Sequence, residues 1–191
     1  MHTLLAHCAG AVHSTQAPAP LQRVPPFWLQ FVLIPTGGFV GLPVVHTSFN
    51  DAEREVENHY GHPIVRRARE GVEPTVEAIY AYGDNPRVYY IEATRQYRRL
   101  GQSSDECSAI GSGTGWFVRD AAGVRALTMV VDLLNCRREA GSYMLPLGVL
   151  KLNDRVYWLA QFAGWGHERY VVLEVKKKSV EVVINKWGGA C

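Results

Sequence analysis

Four histidines stand beyond the first twenty residues, at His46, His59, His62 and His167. His59 and His62 are three apart with Glu57 nearby, and three apart is one face of a helix, where two imidazoles can hold zinc. Gly61 lies between them and Pro63 follows, and the His-Glu-x-x-His order of a zinc hydrolase is absent. They are weak metal candidates, and polar histidines at a helix end are the plainer reading. Gly111-Ser112-Gly113-Thr114-Gly115 has a serine between glycines, as in a nucleophile elbow, but strand-forming residues follow it instead of a helix. It also lacks the Gly-Lys-Ser/Thr ending of a phosphate loop, so it reads as a flexible loop. Cys107 and His167 are a thiol and an imidazole that nothing in the sequence brings together. No cofactor is implied, and the balance leans away from an enzyme.

The densest grouping is Ala163-Gly164-Trp165-Gly166-His167-Glu168-Arg169-Tyr170. An aromatic face beside imidazole, carboxylate and guanidinium groups suits a sugar, a cation or a protein partner. With Trp116, the residues Trp165, His167, Glu168 and Arg169 form the expected binding set, read here as a loop between two strands. The competing reading is that the aromatics fill a small β core and that Glu168 and Arg169 are surface charge.

The elements that would position these groups are mainly strands. Val76 to Tyr82 alternates, Gly83-Asp84-Asn85-Pro86 is a turn, and Arg87 to Thr94 returns, rich in aromatic and β-branched types. Gly101 to Ser112 reads as a loop. Asp120-Ala121-Ala122-Gly123 and Asn153-Asp154 each separate two strand-forming runs, and Lys176-Lys177-Lys178 reads as a solvated hairpin tip. Strands at short spacing without intervening helices predict antiparallel hairpins in a small sandwich or barrel. One or two short helices are expected near 51–70. Asn50 would cap the first, with Glu53 completing a capping-box pattern and Asp51, Glu53, Glu55 and Glu57 crowding its start; Pro63 would open the second.

A chain of 191 residues with 47% hydrophobic content fits one globular domain, and a net charge of +2 argues against a nucleic-acid partner. Residues 1–41 read as a leader or a disordered extension. Within them Arg23, the apolar run Phe27–Ile34 and Gly41 follow the order of an export signal, and the folded domain is expected to begin near Leu42. Buried strands over 27–34 and 39–45 are the alternative. Prolines and glycines in this stretch argue against a stable membrane span. Cys107, Cys136 and Cys191 are disulfide candidates, with terminal Cys191 expected to pair with one of the other two, which fits a secreted or periplasmic location. The expected function is an exported, non-catalytic β domain that binds a protein or glycan. The alternatives are a small extracellular hydrolase, metal-assisted through His59 and His62, and a purely structural or assembly domain.

Overall fold

The computed structural model describes residues 32–33, 39–60, 72–98, 107–138, 141–164 and 166–190. Among the described residues there are two antiparallel sheets and one helix, α1 (Leu42–Tyr60), which packs on the first of them. The first sheet runs in chain order: β1 (Val32–Leu33), β2 (Thr75–Tyr82), β3 (Arg87–Arg98), β4 (Cys107–Asp120) and β5 (Gly123–Leu134). The second is β6 (Tyr143–Leu152), β7 (Arg155–Gly164), β8 (His167–Val175) and β9 (Val180–Ala190), again in chain order. The mainly β fold with antiparallel hairpins is therefore observed, as a sandwich of two meanders.

Strand alternation divides the core in two. Ile79, Ala81, Tyr89, Ile91, Ala93, Phe117 and Val131 face α1, where they meet Val45, Phe49 and Ala52. Their neighbours Val88, Tyr90 and Trp116 face the second sheet and pack on Met144, Val149, Trp158, Ala160, Val171 and Leu173. The first sheet is thus the middle layer, covered on one side by α1 and on the other by the second sheet.

The helix starts nine residues before Asp51, the expected start, and none of its first turn is acidic. Leu42, Val45, Phe49, Ala52 and Val56 recur at helical spacing, and Pro43 is tolerated in the first turn because no intrahelical acceptor awaits its nitrogen. Asn50 is consequently not a cap. Its side chain accepts from Arg95 Nη2 at 2.6 Å. Glu53, one residue from Ala52 on the buried face, accepts from Arg95 Nη1 and from the Tyr97 hydroxyl. Glu53 is 1% exposed and Arg95 4%, so this ion pair ties helix to sheet inside the core. Removing either partner would leave a buried charge, at a cost of about 3–5 kcal/mol. The expected second turn over 63–70 lies outside the described residues.

The glycine stretch 111–115 is strand, not loop, and side chains of the helix and of neighbouring strands leave no room for a Cβ there. A Cβ on Gly113 would stand 2.6 Å from the Phe49 ring, and one on Gly111 would stand 2.5 Å from the Tyr97 hydroxyl. The second half of the expected loop over 101–112 is accordingly part of β4, from Cys107 onward. The two-residue turns follow the sequence: Leu152 pairs with Arg155 across Asn153 and Asp154, whose φ values are 48° and 61°, as a hairpin of this twist demands.

Upstream of Leu42, Val32 and Leu33 pair with Ala81 and Tyr80, and Phe39 packs edge-on against Tyr89 at 5.0 Å. The described fold therefore takes in residues before the expected start. Cys107 and Cys136 form a disulfide that closes the open end of the β4–β5 hairpin. With a sequence separation of 29, the loop-closure entropy removed from the unfolded chain is worth about 3–4 kcal/mol. This bond uses both of the partners expected for Cys191, which itself lies outside the described residues. No helix among the described residues is long and apolar enough to cross a membrane.

Candidate functional site

The β7–β8 connection is tighter than its composition suggested. Gly164 pairs directly with His167, and Gly166 takes φ 68°. The strands run through most of the Ala163–Tyr170 stretch, so its side chains are dealt to the two faces of the second sheet. Trp165 lies outside the described residues.

On the face toward the first sheet, Phe162 pairs with Arg169 and Arg169 with Trp187, so three strands contribute to one row. The Arg169 guanidinium lies 5.0 Å from the Phe162 ring centroid. His167 stacks on Trp187 with centroids 5.8 Å apart and an interplanar angle of 4°. A Cβ on Gly164 would reach the imidazole at 2.6 Å, so glycine there lets His167 lie flat across the neighbouring strand. Asn185, opposite Val171, stands on the same face of β9. Val180 at the start of β9 still packs on the core between the sheets, but beyond it the inner face of β9 is open, with Val182 and Trp187 exposed, Trp187 to 66%.

Arg169 also forms one wall of a notch between the sheets, with a volume of about 130 Å³, where Ser112, Thr114 and Asp132 face Ser142 and Phe162. Ser112 and Thr114 alternate with the glycines along β4, and Asp132 is the cross-strand partner of Ser112, so all three point away from α1. The notch admits a polar substituent, not a whole ligand. Among the described residues Arg169 has no carboxylate in an ion pair. The arrangement is an exposed indole and imidazole beside a guanidinium, hydroxyls, a carboxylate and an amide. Such a surface can stack on a planar or C–H-rich ring and bond its polar substituents.

On the opposite face of the same strands, Gln161 Nε2 donates to Glu168 Oε2 at 2.6 Å and the Tyr170 hydroxyl donates to Glu168 Oε1 at 3.3 Å. Desolvation and the Glu168 carboxylate hold the Tyr170 phenol above its ordinary range. Both side chains lie over Gly188, where a Cβ would stand 2.7 Å from the Tyr170 ring. Glu168 is thus separated from His167 and Arg169 by the thickness of the sheet.

Trp116 does not join the set. It is 6% exposed and meets Trp158 edge-on at 4.9 Å, so it packs the sandwich interior. The side chain of His59 and the whole of His62 lie outside the described parts, and no group of three or more potential metal ligands occurs among the described residues. His46, the remaining histidine, sits 3.2 Å from Glu73.

A larger cleft of about 690 Å³ opens at the other end of the sandwich, between the turns of the two sheets. Its charges are largely matched to one another. Arg155 binds both oxygens of Glu174 and holds that carboxyl below its ordinary range. Lys176 lies 2.6 Å from Glu181, Lys151 lies 3.4 Å from Asp154, and Arg125 donates to the Lys177 carbonyl. Comparison with known proteins finds no matching family model, no similar curated protein and no matching solved structure.

Proposed function

We propose that this is a non-catalytic, exported β-sandwich module that binds a glycan on the inner face of its second sheet, at Trp187, His167 and Arg169. The observation that carries the reading is Trp187, two-thirds exposed near a strand end yet held against His167, beside the Arg169 guanidinium that has no ion pair among the described residues. Sugars present an apolar C–H face and a hydroxyl rim, which match an indole platform flanked by Arg169, Asn185 and Asp132. The Cys107–Cys136 disulfide is compatible with the oxidising surroundings of an exported protein.

Titration calorimetry against soluble neutral β-linked oligosaccharides and oligouronates tests this. One of the two classes is expected to bind. Trp187→Ala is expected to weaken binding by at least about tenfold, and Arg169→Ala by a similar factor, because each removes a central contact. The thermal midpoint of Trp187→Ala should change little, since so exposed a side chain contributes little to the core. Absence of binding to either class, or binding indifferent to both substitutions, would contradict the proposal.

A further inference from the structure

The strand that carries Trp187 is the edge of its sheet. Among the described residues β9 pairs with β8 alone, so its other side is a row of unpaired backbone groups eleven residues long. It is also apolar in the open: Val182 is 60% exposed, Val183 52%, Ile184 47% and Trp187 66%. The opposite edge, β6, is interrupted by Pro146 and an extra residue at Leu147, which blunts it against pairing.

Charge and facing along β9 identify the partner. Leu173 pairs with Val182 and Val172 with Ile184, so Val183 is an extra residue, a bulge. The bulge reverses the alternation. Val180 and Val182 share the inner face with Asn185 and Trp187, while Glu181 shares the outer face with Ile184 and Lys186. The pattern therefore reads the same from both ends about the Val183–Ile184 bond. An antiparallel strand of the same sequence, centred on that bond, sets Glu181 against Lys186, Val182 against Asn185 and Val180 against Trp187, each on a matching face. No other antiparallel register of β9 on itself joins Glu181 to Lys186. Lys186 has no ion pair among the described residues, whereas Glu181, already 2.6 Å from Lys176, is half exposed and has room for a second cation.

We infer that β9 is the interface of a two-fold dimer, in which two four-stranded sheets join edge to edge through Val180–Trp187 of each copy. The contact is isologous and closed, which stops the exposed edge from propagating into a fibre.

Sedimentation velocity on the full chain, with free thiols alkylated without reduction, tests this directly. A concentration-dependent dimer in the micromolar range is expected. Lys186→Glu and Glu181→Lys each place like charges together twice per dimer and should weaken it by at least about tenfold. The double variant E181K/K186E restores the pairing in reverse and should return the dissociation constant to within about threefold of the parent. Far-UV circular dichroism identifies any variant that fails to fold. If either single variant does so, the folded double variant still reads the register, because it must dimerise like the parent. A parent chain that stays monomeric to about 200 µM overturns the inference. So does a dimer unaffected by both single reversals, or one that the double variant weakens as much as they do.

Discussion

At the residue scale, Glu92 shows how the sandwich mouth sets local chemistry. It faces the second sheet from β3, where it accepts from the Met144 amide at 3.3 Å. Burial, with the nearby Glu77 charge, outweighs that amide and raises its carboxyl above the ordinary range. Ionising Glu92 therefore costs the folded state more than the unfolded one. Its contribution to stability is fully present below the unfolded-state pKa and is lost as pH rises through the folded one. Glu92→Gln keeps an acceptor for Met144 but never ionises. It is expected to raise the thermal midpoint at pH 7, with the difference from the parent shrinking toward zero as pH is lowered to about 4. A difference that is constant with pH would show that ionisation is not its source. His167 and Arg169 could be singled out from the sequence because aromatic and charged types crowd there. Their partner Trp187 could not, because twenty residues separate it from His167 and only the β8–β9 register joins them. Trp116 was misplaced for a related reason: alternation sends Trp116 and Phe117 to opposite faces of β4, and both faces are covered.

At the element scale, the hairpins were legible because their turns carry chemistry of their own. The β6–β7, β4–β5 and β8–β9 turns all fall at Asn-Asp, Ala-Ala-Gly or lysine-rich stretches between apolar runs. The helix was not fully legible. Pro43, Val44, Val45 and Thr47 favour other conformations, and they concealed a helical period that burial against the first sheet then enforces. The glycines of β4 misled in the same way, since glycine in a strand marks a close approach as readily as a loop. Gly113→Ala tests that approach. Its Cβ would meet the fully buried Phe49 ring, so a loss of about 1–3 kcal/mol in urea unfolding is expected. The double variant G113A/F49L should cost less than the sum of the two single ones, because a smaller residue at 49 admits the methyl. Additive costs would show that the two residues do not touch.

At the scale of the whole molecule, the layering assigns roles. The first sheet is covered on both faces and anchors the helix through Glu53 and Arg95, while the second sheet is covered on one face and overhangs at β9. That overhang is what exposes Trp187, Asn185 and the polar notch. A dimer through β9 would set the two indoles on one face, seven residues but, with the Val183 bulge, six strand positions or about 20 Å apart, a spacing that lets one polymeric ligand engage both. The proposed glycan would bind at this end and not in the larger cleft at the other. Amide and indole chemical-shift mapping during titration with the oligosaccharide class that binds tests it most directly. The expected shifts fall at Ser112, Asp132, His167, Arg169, Asn185 and the Trp187 indole, with Asp84, Lys151 and Lys176 unmoved. Shifts concentrated at Asp84, Lys151 and Lys176 instead would contradict it and assign binding to the opposite cleft.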